Sequence, residues 1–182
     1  MGKKQTKPQA KKKSLKGLWT ILGTVLLGIV LGVGIGILVA GNTPVAETVY
    51  EVEDLHITLP EDFQAFENER FTGILLNQDV GISFLKEPFQ QVAGSESLSL
   101  EEYGHLVIGE NGIIGTMLCT EYGLTYFEFL RETQETGDSV AYFAAVYKSN
   151  DAFWLLQFST AEEDYERLRP DMERWARSVT FE

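Results

Sequence analysis

Val140-Ala141-Tyr142-Phe143-Ala144-Ala145-Val146-Tyr147 and Ala152-Phe153-Trp154-Leu155-Leu156-Gln157-Phe158 are the two runs on which the fold turns. Between them lies Lys148-Ser149-Asn150-Asp151, where Asn150-Asp151 suits a tight turn, so strands over 139–148 and 152–159 are expected to form a hairpin. Successive strand side chains face opposite ways. Phe143, Ala145 and Tyr147 therefore share one side and Tyr142, Ala144 and Val146 the other. Trp154, Leu156 and Phe158 likewise oppose Phe153 and Leu155. Strands that are apolar on both sides belong at the centre of a sheet covered above and below.

The covers lie further out along the chain. Ala161, Tyr165, Leu168, Met172, Trp175, Ala176 and Val179 make one apolar helical stripe, with Ser159 and Glu162 placed to cap it. Pro170 falls inside that stripe and predicts a kink, or two short helices meeting there. Upstream, Ser99 and Glu102 have the spacing of a capping box. Leu100, Tyr103, Gly104, Val107 and Ile108 follow at helical intervals, and Asn111-Gly112 closes the helix.

The remaining strands read as Leu55–Leu59, stopping at Pro60; Phe71–Leu76 and Val80–Leu85 around the turn Asn77-Gln78-Asp79; and 113–120 and 123–131. Connections are too short for parallel crossovers except through the helices, so the sheet is mainly antiparallel. The fold class expected for residues 47–182 is α+β, an α/β/α sandwich.

Charge divides the 182 residues into three parts. Residues 1–16 hold seven lysines (Lys3, Lys4, Lys7, Lys11, Lys12, Lys13 and Lys16) and no acid. Residues 17–46 carry no charged side chain, and residues 47–182 set the other eight basic residues against all 27 acids, a net charge of −19. Gly17–Ala40 is 24 residues long, with Thr20, Thr24 and the Trp19 indole as its only polar side chains. As a helix it would reach roughly 36 Å, enough for about 30 Å of hydrocarbon.

A cleaved leader has an apolar stretch of only ~7–15 residues, so the expectation is a single, uncleaved N-terminal transmembrane helix. The lysines form a topogenic cluster that holds the amino terminus in the cytoplasm and places the acidic domain outside the cell membrane. Residues 41–46 form a short linker. Thr24, Gly28, Gly32, Gly36 and Ala40 recur every four positions, a small-residue face suited to packing against a second helix.

Four segments carry a family resemblance: Ile57-Thr58-Leu59-Pro60-Glu61-Asp62-Phe63, Ser99-Leu100-Glu101-Glu102-Tyr103, Ala152–Phe158, and Ser178-Val179-Thr180-Phe181 at the end of the final helix. Over about residues 50–182 the chain resembles PsbP-like and Mog-like domains, in their bacterial membrane-anchored branch. The resemblance implies an α/β/α sandwich around an antiparallel sheet and a non-enzymatic binding or assembly role, with no shared catalytic motif to carry over.

The residues themselves point the same way. His56 falls on the wet side of its strand, His105 sits beside an apolar stripe, and no carboxylate–His–nucleophile arrangement accompanies either. Cys119 alternates with Met117 and reads as a buried core thiol. No calcium loop, phosphate-cradling glycine loop or Cys-rich zinc site occurs, so no cofactor or metal is expected. The acidic outer part is a poor match for nucleic acid.

Two function classes remain. One is a membrane-tethered binding or assembly module for another envelope protein, the span docking onto a partner or a second copy. The alternative is an envelope small-ligand receptor or enzyme. A deep pocket with convergent carboxylates, such as Glu128 facing another acid beside an aromatic wall, would favour the alternative, and a pocket-poor domain with an exposed apolar patch would favour the first.

Overall fold

The computed structural model describes residues 46–91, 94–133 and 137–182. Ten strands and two helices follow in chain order: β1 Glu47–Val52, β2 Leu55–Pro60, β3 Gln64–Phe66, β4 Gly73–Leu76, β5 Gly81–Pro88, α1 Leu100–Glu110, β6 Cys119–Glu121, β7 Leu124–Glu132, β8 Ser139–Lys148, β9 Ala152–Ala161, α2 Glu162–Arg177 and β10 Thr180–Phe181. Two short 3-10 turns, Phe89–Gln91 and Ser95–Ser97, join β5 to α1. Seven strands form one sheet in the order β3-β4-β5-β9-β8-β7-β6, and β1-β2-β10 form a second. Among the described residues, all strand pairs are antiparallel.

β8 and β9 lie inside the large sheet, as their two apolar sides require. Phe143, Ala145, Trp154, Leu156 and Phe158 belong to a core with Tyr165, Leu168, Met172 and Trp175 of α2 and Leu55, Ile57 and Leu59 of β2. On the other side Ala144, Val146, Phe153 and Leu155 meet Tyr103 and Val107 of α1. The Tyr103 and Phe153 rings stack at 4.2 Å. The sandwich is therefore α1, the seven-stranded sheet, and a third layer that α2 shares with the small sheet. Ser178 ties that layer together, its Oγ accepting from Thr58 N at 2.9 Å.

Local signals produce several of these elements directly. Ser99 Oγ accepts from Glu102 N at 3.1 Å while Glu102 Oε2 accepts from Ser99 N at 2.8 Å, the reciprocal capping box that starts α1. Asn77 Oδ1 accepts from Asp79 N and Val80 N and fixes the β4–β5 turn. Ser149 N donates to Ala152 O at 2.9 Å, closing the β8–β9 hairpin over Asn150-Asp151.

Four sequence expectations are corrected. β9 runs to Ala161, so Ser159 is a strand residue whose hydroxyl donates to Gly81 O, and α2 starts without a side-chain cap. Glu162, Glu163 and Asp164 in its first turn supply negative charge instead. Pro170 lies within a single helix, Glu162–Arg177, and does not divide it.

The strand expected over 113–120 is three residues, Cys119–Glu121, because 113–118 is a loop with Ile114 and Met117 turned outward. Cys119 is half-buried rather than a core thiol. Leu118 of this loop lies on α1 at Gly104, where a Cβ would come within 2.7 Å of Leu118 Cδ1.

Among the described residues, no helix is long and apolar enough to cross a membrane. The expected span Gly17–Ala40, its small-residue face Thr24, Gly28, Gly32, Gly36 and Ala40, and the basic cluster Lys3 to Lys16 lie outside the described residues.

Candidate interaction edge

β6 and β7 are joined by Tyr122-Gly123, both with positive φ (50° and 82°), as a two-residue hairpin with that twist requires. β6 ends the large sheet but covers only Leu124–Tyr126 of β7. Among the described residues, the rest of β7 pairs with β8 alone, through Glu132↔Ser139.

The hydrogen-bond phase shows which backbone groups face out. Thr133 N donates to Asp138 O at 2.8 Å, so residues in step with Thr133 (Arg131, Phe129, Phe127) turn their backbone groups toward β8. Glu128, Leu130 and Glu132 consequently turn theirs away from it. The Thr116 hydroxyl confirms the phase by donating to Glu128 O. Among the described residues, Leu130 has no backbone partner on this outer side.

The same edge gathers exposed apolar side chains. Ile114, Met117 and Leu130 are 96%, 79% and 58% exposed, and Tyr122 at the hairpin tip is as open as Ile114. A cleft of about 370 Å³ lies between the 112–116 loop and Glu128–Arg131, lined in part by Ile113, Ile114, Thr116 and Leu130. The loop is held at its far end by Thr116 on Glu128 O and at its start where it leaves α1. Gly112, at φ 61°, lets Ile113 N reach Ile108 O and terminate α1, and Arg131 Nη2 donates to Asn111 O at 3.3 Å.

Behind the edge, α2 is fixed to the hairpin by a ladder of ions. Glu128 Oε1 accepts from Arg169 Nε and Nη2, and Arg169 Nη1 reaches Glu173 at 3.0 Å. Glu173 Oε1 accepts from Arg177, whose Nη1 donates to the carbonyls of Glu121 and Tyr122 at 3.2 Å each. The Arg177 guanidinium beside it, and Arg169, hold the Glu173 carboxyl below its ordinary value. Arg169 also lies over the Tyr126 and Phe143 rings. Glu128 thus faces a guanidinium beside its aromatic wall, where the receptor-or-enzyme alternative called for a second acid.

Charged groups also gather away from this edge. Glu53, Asp54 and Asp151 converge on Lys86 Nζ at 3.2, 2.6 and 3.4 Å, so an ammonium fills the centre of that acidic group. Glu87, at the α1 face of β5, is largely buried beside Tyr103, and burial pushes its carboxyl above the ordinary value. His56 is half-buried with Nε2 3.7 Å from Glu182, and His105 is exposed on α1. β2, with His56, and α1, with His105, pack on opposite sides of the large sheet, and among the described residues no group of three or more His, Cys, Asp or Glu is placed to hold a metal ion.

Sequence reading missed the edge. Ile114 and Met117 look like strand residues, and a free edge leaves no local mark. Arg169, 41 positions from Glu128, was equally invisible.

No protein-family model matches the chain, and no curated protein does. Solved structures do. The solution structure of the cyanobacterial PsbP (CyanoP) of Synechocystis sp. PCC 6803 aligns with TM-score 0.55 at 12% identity, covering 79% of this chain and 96% of that one. The Saccharomyces cerevisiae Ran-binding protein Mog1p aligns at 0.48 with 8% identity (75% and 96% covered). LpqN, involved in cell envelope biogenesis of Mycobacterium tuberculosis, aligns at 0.43 with 16% identity (74% and 90%). The described domain has the PsbP/Mog-like fold. At these identities the likeness concerns fold alone.

Proposed function

We propose that this chain is a membrane-tethered binding module that presents its folded domain outside the cell and acts on another envelope protein, without catalysis. The observation that carries this reading is the grouping of exposed Ile114, Met117 and Leu130 along an incompletely paired sheet edge. Scattered exposed apolar residues need no explanation, whereas several around one cleft mark an interaction surface. The tether rests on Gly17–Ala40, uncharged and long enough to span, with seven lysines before it and a −19 domain after it. Its small-residue face, Thr24 to Ala40, packs against a partner helix or a second copy. The Glu128–Arg169 ion pair supports a scaffolding role for the only carboxylate that the alternative singled out.

Topology is tested with protease added to intact cells or spheroplasts. Residues 47–182 are expected to be removed and the lysine segment spared; protection of the acidic domain would overturn the tether and its orientation.

A further inference from the structure

The uncovered half of β7 is suited to receive one more strand. We propose that the edge beyond Glu128, Phe129–Glu132, binds an extended segment of the partner protein as an added antiparallel strand, with a basic residue two positions before an apolar one. This rests on the binding-module reading above and specifies the partner's chemistry.

Backbone phase comes first. Leu130 and Glu132 turn their N–H and C=O groups outward, set by the Thr133–Asp138 bond, and the Thr116 hydroxyl on Glu128 O marks where the chain's own loop stops covering the edge. Folded proteins usually blunt free edges with short strands and charge. The opposite edge of this sheet does so: β3 is three residues long and flanked by Glu61, Asp62, Glu67 and Glu69. On β7 the central outward-facing position is Leu130, more than half exposed, with Ile114 across the cleft. A free edge beside exposed apolar side chains is the arrangement used for strand addition, in which main-chain bonds give affinity and alternate side chains give selectivity.

Charge then selects the occupant. A residue opposite Leu130 places its side chain on the same side of the sheet, and the residue two before it lies opposite Glu132. Glu132 is exposed and has no ion pair among the described residues. An apolar side chain therefore fits opposite Leu130 and a lysine or arginine opposite Glu132. A second copy fits poorly. Two β7 edges paired about Leu130 would oppose Glu128 to Glu132 across the junction, within two domains that each carry −19.

The test uses the full chain, ¹⁵N-labelled in detergent micelles, and three capped peptides. The first is Thr-Lys-Thr-Val-Thr-Lys-Thr; the second carries glutamate in place of lysine; the third carries N-methylvaline at its centre, which removes the N–H that would reach Leu130 O. The first is expected to slow amide exchange at Leu130 by about tenfold or more. The third should bind about tenfold more weakly, the size of one net hydrogen bond, and the second should give no protection. Leu130→Pro removes the outward N–H together with the leucine side chain, a change tolerated on an edge. Having no amide at 130, it is read at the outward amide of Glu132, where the first peptide slows exchange in the parent and should no longer do so in the variant while the chain remains folded.

Equal effects of the three peptides, or no slowing at Leu130 with any of them, would overturn the proposal. So would a Leu130 amide already protected in a concentration-dependent way without peptide, which would make the occupant a second copy. A partner crosslinked at Ile114 alongside peptides that leave Leu130 unprotected would sink strand addition and leave the binding-module reading standing.

Discussion

Arg169 brings Nε and Nη2 onto a single oxygen of Glu128, at 3.0 and 2.7 Å, and so locks the middle of α2 to the strand whose other edge lies open. The open edge is thereby backed by a rigid support. Arg169→Ala removes both charge-assisted bonds, the link to Glu173 and the cation packed over Tyr126 and Phe143. The group is only partly buried, so a loss of about 1–2 kcal/mol is expected in denaturant unfolding, with little recovery in Arg169→Lys, which lacks the planar fork.

Trp175 is 4% exposed, its ring 5.5 Å from Phe63 in an edge-on contact and 6.4 Å from Phe158. It joins α2, the large sheet and the chain leaving β2 in one core. Trp175→Ala should cost about 3–5 kcal/mol. A melting temperature within a degree of the parent would show that the third layer is not packed through this ring.

Glu173 and Glu87 should respond to pH in opposite directions. The folded value of Glu173 is depressed, so its contribution is present above the unfolded carboxylate value of about 4.3 and is lost as pH falls through the folded value. Burial raises Glu87, so the folded state binds its proton more tightly and stability falls as pH climbs between the unfolded and folded values. Glu87→Gln should therefore raise the melting temperature at neutral pH, with the gain vanishing below about pH 4. A gain independent of pH would show that the carboxylate is not desolvated beside Tyr103.

Legibility in the sequence followed burial. Strands 139–148 and 152–159 were readable because both of their faces are apolar, and the α2 stripe because it repeats at helical spacing. β1 was missed since Glu47, Thr48 and Val49 are all exposed, and β10 because two residues carry no period. Ser159 resembled a cap because Ser–x–x–Glu is the same four-residue pattern whether the strand ends before or after it. The β7 edge was illegible for a different reason: a missing neighbour is a property of topology, and Leu130 reads like any other strand residue.

The proposed span makes a separable prediction. Gly32→Ile inserts a branched side chain into the small-residue face, whereas Gly34→Ile lies about 200° around the helix. Both keep the segment apolar and insertable. In a membrane-helix association reporter carrying residues 15–42, Gly32→Ile should lose signal and Gly34→Ile should retain it. Equal signals would remove self-association through this face.

The most direct measurement is site-specific photocrosslinking of the full chain in living cells, with the reactive residue placed in turn at Ile114, Met117 and Leu130 on the edge and at Glu163 and Arg167 on the exposed side of α2. A binding module working through the β6–β7 edge should give one discrete adduct from the three edge positions, lost from Ile114 and Met117 when Leu130→Pro is added, and none from the α2 positions. Adducts of equal yield from all five positions, or none from the edge, would contradict it.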